Sequence, residues 1–100
     1  MDNKRSYRLS PLAEQDLEEI WHYTFHEWGA NQADSYYRSI IVAIEGLIVR
    51  RSIAQLCDIL PGYWKFKVGR HVIYYKESHN YIDVIRILHV RMDVETHLPM

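Results

Sequence analysis

Hydrophobic and polar residues recur with two different periods along this chain, and the change of period separates helical from extended segments. Loose alternation over residues 4–9 predicts a short first strand that ends at Ser10 and Pro11. Apolar residues then recur every three or four positions, as on one face of an α-helix. Ser10 is the expected N-cap, Pro11 the first helical residue and Gly29 the end of this helix. The apolar face comprises Ala13, Leu17, Ile20, Trp21, Thr24 and Trp28.

A second helical period follows directly after Gly29. Asn31 is the expected N-cap, and Arg50 and Arg51 suit the C-terminus, where the helix dipole favours positive charge. The apolar positions of this helix are Ala33, Tyr36 or Tyr37, Ile40, Ile44 and Leu47. Two helices joined by so short a turn predict an antiparallel helical hairpin.

The period changes to two after the turn signal Pro61-Gly62. Trp64, Phe66 and Val68 alternate with polar neighbours, and residues 71–76 and 81–88 predict two further strands joined by short turns. Three such strands form an antiparallel meander. Apolar residues point to both faces of the last strand, as in a central strand of a sheet; they are Ile82, Val84, Ile85, Ile87 and Leu88. Residues 52–61 have no steady period and are expected to connect helix to sheet.

The order strand, two helices, three strands predicts one α+β domain over residues 1–100, with an N-terminal strand and an antiparallel helical hairpin packed on an antiparallel β-sheet. Twelve Lys and Arg against thirteen Asp and Glu give a net charge of −1. This balance does not support attraction to nucleic acid or to an anionic membrane, and we expect no sequence-specific nucleic-acid binding. One cysteine and no long apolar run indicate a cytoplasmic protein.

Enzyme-like motifs are weak in this sequence. His22 and His26 are four residues apart on one helix, a spacing that can hold a metal ion, but no third ligand accompanies them. Cys57 lies in an apolar segment without a nearby base and is expected to be a small buried residue. We therefore expect no metal, no cofactor and no catalytic nucleophile.

Polar residues gather where the apolar run of the last strand stops. Arg86, His89, Arg91 and Asp93 lie there, and Lys65, Lys67, Arg70 and His71 belong to neighbouring strands. Such a set can supply the base, acid and cations of metal-independent RNA cleavage, or form a solvated face. Arg86 stands between two isoleucines and requires a partner, which we expect to be Asp83, Asp93 or a bound protein. The chain has an excess of aromatic residues, with eight tyrosines and three tryptophans. Core packing explains most of them; the rest suit a protein interface, and exposed ones could also stack on nucleic-acid bases.

Several segments together resemble the ParE toxins of the RelE/ParE superfamily of bacterial toxin–antitoxin (plasmid stabilisation) systems. The matching segments include Leu9-Ser10-Pro11-Leu12-Ala13, Val68-Gly69-Arg70-His71-Val72-Ile73-Tyr74-Tyr75 and Val84-Ile85-Arg86-Ile87-Leu88-His89-Val90-Arg91-Met92-Asp93. The resemblance implies the same α+β fold. It also implies a ParD-like antitoxin that forms a hetero-oligomeric complex with the toxin and wraps an apolar groove between helices and sheet. The expected antitoxin-binding residues are Trp28, Tyr37, Trp64 and Phe66.

The superfamily divides into two functional classes. ParE-like members are described as poisons of DNA gyrase, whereas RelE-like members are ribosome-dependent endoribonucleases. This chain has Val72 and Val90 where nucleases of this fold typically place an arginine and an aromatic residue, while His89 matches a position that is catalytic in some nucleases. The expected function is therefore a non-enzymatic gyrase toxin that blocks replication. An endoribonuclease, or an inactive member kept for repression with its antitoxin, is the alternative.

The resemblance and the placement of the polar residues together predict the edge that contacts the target. It comprises Arg70, His71, Arg86, His89, Arg91, Met92 and Asp93.

Overall fold

Two long helices and five strands make up most of the chain, of which the computed structural model describes residues 6–50 and 53–98. In chain order the elements are β1 (Ser6–Leu9), α1 (Pro11–Trp28), α2 (Ala30–Val49), β2 (Gln55–Leu56), β3 (Trp64–Val68), β4 (His71–Glu77), β5 (Tyr81–His89) and α3 (Val94–His97). The predicted positions Lys4, Arg51 and Ser52 lie outside the described residues. No helix within the described ranges is both long and apolar enough to cross a membrane.

The predicted limits of α1 are confirmed. The Ser10 hydroxyl accepts a hydrogen bond from the Ala13 N–H at 3.0 Å, and Pro11 is the first helical residue. Gly29 ends the helix with a φ of 93°, a conformation that glycine adopts without a steric penalty. The prediction of Asn31 as N-cap of α2 is wrong. Gly29 is also the N-cap of α2, and its carbonyl accepts the Ala33 N–H at 3.1 Å, so α2 begins before Asn31.

The five strands form one mixed sheet in the order β1-β5-β4-β3-β2. The meander of β3, β4 and β5 is antiparallel as predicted, and β5 lies inside the sheet between β1 and β4. β1 departs from the antiparallel expectation because it pairs parallel to β5, from Ser6 opposite Tyr81 to Leu9 opposite Val84. β2, a two-residue strand within the predicted connection, pairs with β3 at the opposite edge.

Apolar side chains pack on both faces of the sheet. The helical hairpin covers one face and buries Ile40 and Ile44 of α2 against Ile73 of β4 and Ile87 of β5. The other face carries a smaller cluster, in which Leu98, just after α3, is buried with residues of β4, β5 and the connection. Its buried members are Cys57, Leu60, Tyr63, Tyr74, Leu88 and Leu98. Both faces of β5 are therefore covered, as its sequence predicts.

The apolar face of α1 is shorter than the sequence predicts. Ala13, Leu17, Ile20 and Thr24 are buried, whereas Trp21 is half-buried and Trp28 is 73% exposed. Asp16 is buried on the same face. The last turn of α1 therefore leaves its tryptophan in solvent.

The start of α1 continues the hydrogen bonding of β1 along the edge of β5. The Ser10 N–H donates to the Val84 carbonyl at 2.9 Å, and the Ser10 hydroxyl donates to the Ile85 carbonyl at 2.7 Å. A register shift at this point places Tyr74 opposite Arg86 and Tyr75 opposite Val84, so Ile85 is an extra, bulged residue. The Ile87 N–H then donates to the Asp16 carboxylate at 2.9 Å. Backbone groups of β5 that β1 is too short to reach are thus satisfied by Ser10 and by Asp16 of α1.

Candidate functional site

Five of the seven predicted target-edge residues meet at one end of the sheet. Arg70 follows Gly69 in the turn between β3 and β4, and His71 lies opposite His89 at the end of β5. The Arg70 carbonyl accepts the Val90 N–H at 2.9 Å. His89 fixes Arg91 and Met92, since its Nδ1 accepts the Arg91 N–H at 3.1 Å and its carbonyl accepts the Met92 N–H at 2.9 Å. We call Arg70, His71, His89, Arg91 and Met92 the sheet-end cluster.

Tyr36 of α2 reaches this cluster from the helical layer. Its hydroxyl oxygen accepts the Arg70 N–H at 3.1 Å and lies 3.2 Å from the Val68 carbonyl oxygen and 2.7 Å from Nδ1 of His71. The hydroxyl has one proton, so it donates either to Val68 or to His71. If the hydroxyl donates its proton to the Val68 carbonyl, its bond with His71 needs a proton from the ring, so Nδ1 of His71 is then the protonated nitrogen. The sequence analysis gave Tyr36 or Tyr37 as an apolar position of α2, and it missed the polar role of Tyr36.

Burial makes His71 a poor proton carrier. Desolvation, followed by the neighbouring His89, lowers the pKa of His71 from 6.5 to about 4, although Asp16 acts in the opposite direction. The His71 and His89 rings meet edge to face with their centroids 5.3 Å apart. His71 is therefore neutral at physiological pH and contributes a ring and hydrogen-bonding atoms to the cluster.

The charged members of the cluster face solvent. Arg70 and Arg91 are both exposed, and neither side chain forms an ion pair with any residue in the described part of the chain. Met92 is 46% exposed beside them. Two guanidinium groups and an apolar side chain are thus available to an external partner, and arginine is among the residues that dominate protein interfaces.

Arg86 is engaged within the chain, but not by either of the predicted carboxylates. Its guanidinium donates to both oxygens of Asp16, at 2.9 and 2.8 Å, and to the His97 carbonyl at 3.0 Å. Hydrogen bonding to Asp16 raises the pKa of Arg86 despite the opposing effect of burial. Of the expected partners, Asp83 pairs with Arg8 at 2.7 Å. Arg86 therefore ties α1 and α3 to β5 and lies apart from the solvent-facing cations.

Asp93 is also used inside the fold. As the N-cap of α3, its carboxylate accepts the Glu95 N–H at 3.2 Å and the Thr96 hydroxyl at 2.9 Å. The Asp93 carbonyl lies 2.8 Å from Nδ1 of His97. Asp93 thus shapes the segment that follows the sheet-end cluster.

A groove runs over the solvent side of the helical hairpin. Trp21 and Tyr37 line both of its adjoining parts, which measure about 750 and 450 Å³. The Trp21 indole N–H donates to Asp34 at 2.9 Å, and its ring stacks on Phe25 with centroids 5.3 Å apart. The remaining lining residues are Leu9, Pro11, Glu14, Gln15, Leu17, Glu18, His22, Asp34, Arg38 and Ile41. We call this surface the hairpin groove.

The four expected antitoxin-binding residues occupy different surfaces. Tyr37 lines the hairpin groove, whereas Trp28 lies at the exposed end of α1. Trp64 and Phe66 belong to β3 and pack, partly buried, against the main core. The sequence analysis did not predict Trp21 as a residue of this groove. It named Trp21 only as one of the apolar positions of α1.

No group of three or more metal-ligating side chains occurs among the residues that the structure describes. His22 and His26 are exposed on α1, where each ring contacts an aromatic neighbour, Trp21 and Phe25 respectively.

Comparison with known proteins assigns the chain to a family. Residues 7–94 match the family model described as ParE toxin of type II toxin–antitoxin system, parDE. Toxin ParE1 of Mycobacterium tuberculosis (strain H37Rv) is 44% identical over 94 residues, which cover 92% of this chain and 96% of the relative. Toxin ParE1 of Caulobacter vibrioides is 35% identical over 95 residues, covering 94% and 98% respectively.

Solved structures share the fold at low sequence identity. A chain from the chromosomal ParDE toxin–antitoxin system of P. aeruginosa aligns with a TM-score of 0.75 at 18% identity, covering 88% of this chain and 98% of that one. A chain from the RelBE2 toxin–antitoxin complex of Mycobacterium tuberculosis aligns with a TM-score of 0.64 at 15% identity, covering 86% and 98%. With the family match over most of its length, this chain belongs to the ParE toxin family of type II toxin–antitoxin systems.

Proposed function

We propose that this ParE-type toxin binds DNA gyrase, halts the enzyme with its DNA cleaved, and so blocks replication until a ParD-like antitoxin neutralises it. The observation that carries the target-binding part is the pair of exposed guanidiniums of Arg70 and Arg91 at one end of the sheet, which form no ion pair with the residues at 6–50 and 53–98. With Met92 they form a small surface that combines positive charge with an apolar side chain, as protein-binding surfaces often do.

The same cluster supports binding over catalysis. A general acid works best when its pKa lies near the operating pH. His71, with a pKa of about 4, carries almost no proton at pH 7 and is a poor donor to a leaving group. Val72 and Val90 also stand where nucleases of this fold typically place an arginine and an aromatic residue, and on both grounds we propose that the toxin acts without chemistry of its own. The alternative, a ribosome-dependent endoribonuclease, depends on His89, whose ring contacts that of His71 in the sheet-end cluster.

The hairpin groove is the surface that we propose for the antitoxin. Trp21, Tyr37 and Ile41 supply apolar and aromatic area, while Glu14 and Glu18 supply negative charge along one part of the groove. An amphipathic segment with basic side chains fits this combination, by the helix-in-groove mode of recognition. Bound there, the antitoxin forms a hetero-oligomeric complex with the toxin.

A gyrase supercoiling and cleavage assay tests the proposal. The purified toxin, freed of antitoxin, should inhibit supercoiling and accumulate linear, cleaved DNA, and added antitoxin should reverse both effects. Arg70→Ala should raise the inhibitory concentration by about tenfold or more, since interface arginines often contribute this much. Arg50→Ala, which removes an exposed arginine at the end of α2, is the matched control.

Two results would contradict the proposal. If the toxin leaves gyrase unaffected but cleaves mRNA on translating ribosomes, and His89→Ala abolishes that cleavage, the endoribonuclease interpretation replaces it. If forced expression leaves growth unaffected, the chain is an inactive member of the family.

A further inference from the structure

Tyr36 connects the helical layer to the sheet-end cluster through its ring and its hydroxyl separately. The ring packs directly beneath the turn between β3 and β4: a Cβ atom added at Gly69 would lie 2.8 Å from Cε1 of Tyr36. Gly69 also has a φ of 57°, at the first of the two turn positions, where type II′ hairpin turns place glycine. The ring therefore supports a turn that accepts no side chain on that side.

The hydroxyl contacts three groups of the same turn. It lies within hydrogen-bonding distance of the Val68 carbonyl, the Arg70 N–H and Nδ1 of His71. The Arg70 amide determines where the Arg70 side chain leaves the turn. Nδ1 fixes the orientation of the His71 ring, which in turn packs edge to face on His89. The hydroxyl oxygen of Tyr36 thus helps to orient one exposed cation, Arg70, and one half-buried imidazole, His71, of the sheet-end cluster.

We propose that Tyr36 is a positioning residue for target binding, and that its hydroxyl holds the turn at Arg70 and the His71 ring in the geometry that the target requires. This inference rests on the proposed function, because it assigns the sheet-end cluster to the target. Tyr36 itself is half-buried under the turn, so the role that we assign to it is positioning and not direct contact.

The hairpin groove is lined by Tyr37, the next residue of α2. Because side chains of adjacent helical residues point about 100° apart, Tyr36 and Tyr37 serve different surfaces. A change confined to the Tyr36 hydroxyl should therefore affect target binding and leave antitoxin binding intact. This separation distinguishes a positioning role from a general contribution to folding.

Tyr36→Phe is the variant that tests the inference, because it keeps the ring under Gly69 and removes only the hydroxyl. Tyr23→Phe is the matched control, since Tyr23 is 67% exposed on α1 and outside both surfaces. For wild type and both variants, gyrase inhibition, growth arrest on expression, antitoxin affinity and thermal stability should be measured. NMR adds a direct signature through hydrogen exchange of the Arg70 amide and the ¹⁵N shifts of the His71 ring, which report its tautomer.

We expect Tyr36→Phe to raise the concentration needed to inhibit gyrase by about fivefold to tenfold, because the turn loses the hydroxyl that holds it by hydrogen bonds. The Arg70 amide should exchange faster and the His71 ¹⁵N shifts should move, while antitoxin affinity stays within about twofold of wild type. Tyr23→Phe should match wild type in every measurement. Inhibition equal to wild type in Tyr36→Phe overturns the inference, as does a parallel loss of antitoxin binding and thermal stability.

Failure of the proposed function gives a different pattern. If wild-type toxin arrests growth but does not inhibit gyrase, the gyrase assignment fails and growth arrest becomes the readout for Tyr36. Weaker arrest by Tyr36→Phe then supports its positioning role toward another target, and unchanged arrest overturns it. A wild type that neither inhibits gyrase nor arrests growth overturns both proposals.

Discussion

The carboxylate of Asp16 and the guanidinium of Arg86 form a two-point ion pair, with N···O distances of 2.9 and 2.8 Å, across 70 residues of sequence. The side chain of Asp16 is 8% exposed and that of Arg86 is 15% exposed. Asp16 also accepts the Ile87 N–H, and Arg86 also donates to the His97 carbonyl. The pair therefore joins α1, β5 and the segment that ends α3.

Replacing Asp16 with Asn should lower the free energy of unfolding by about 3 kcal/mol, because Arg86 keeps a largely buried charge without its anion. Asn retains an oxygen that can accept the Ile87 N–H. Urea unfolding measures the change. In the control Asp83→Asn, the lost partner is Arg8, whose side chain is 56% exposed, so the cost should stay below about 1 kcal/mol. Equal losses in the two variants would contradict a structural role for the buried pair.

Replacing Gly69 with Ala should destabilise the protein more than replacing Gly62 with Ala. Both glycines have positive φ, 57° and 87°, so each substitution strains the backbone by about 1 kcal/mol or more. Only the Cβ at Gly69 meets another group, the ring and hydroxyl of Tyr36, both at 2.8 Å; at Gly62 nothing lies within 4 Å. Thermal unfolding of the two variants gives the comparison. Equal melting temperatures would contradict this prediction and show that the Tyr36 side chain moves away from the new methyl group at little cost.

His71 should titrate with a pKa of about 4, well below its ordinary value of 6.5, chiefly because of burial. The unfolded chain then binds this proton more readily than the folded chain. The stability gained from neutral His71 is therefore complete above pH 6.5 and is lost as the pH falls toward 4. NMR titration of the ring measures the pKa, and unfolding at several pH values should show a weaker pH dependence in His71→Asn over this range.

The imidazole of His89 offers a control for the cause of the lowered pKa of His71. Replacing His89 with Asn should raise the pKa of His71, because one of the groups that lowers it is gone. The value should remain below 6.5, since burial is the larger cause. A return to 6.5 would identify His89, and not burial, as the dominant cause.

Replacing Arg91 and Met92 together with alanine should reduce toxicity while leaving stability and antitoxin binding near wild type. Both side chains are exposed at the sheet-end cluster, and truncating exposed side chains changes stability by about 0.5 kcal/mol or less. Growth on induction, thermal unfolding and antitoxin affinity are the three measurements. A large loss of stability would instead identify the segment after β5 as structural.

Local signals in the sequence predicted most of the fold. Ser10 and Pro11 set the start of α1 through a hydroxyl cap and a residue without an N–H, and both act within one helical turn. Alternation predicted the meander and the buried position of β5. Asn31 failed as a cap because Gly29 alone forms the connection between α1 and α2. Neighbouring residues could not reveal that β1 runs parallel to β5, since the two strands lie about 75 residues apart.

The candidate site was predictable in its position but not in its partners. The polar residues after β5 indicated the sheet end, and five of the seven do meet there. Asp16 carried an unused signal, because a carboxylate at the helical spacing of Ala13, Leu17 and Ile20 lies on the buried face. A buried acid on a helix and an arginine in a central strand each require a partner. The hydrogen bonds of Tyr36 could not be predicted in this way, because core packing alone explains an aromatic residue at an apolar position of a helix.

The parallel pairing of β1 with β5 also affects how the chain folds during synthesis. The first strand leaves the ribosome about 75 residues before its neighbour in the sheet. Contacts between such distant segments form slowly, and domains fold only when their parts are available. A nascent chain cannot close this sheet, or bring His71 against His89, before residues 81–89 have emerged. A fragment that stops before residue 81 therefore lacks the assembled sheet end, which is the surface that we propose for the target.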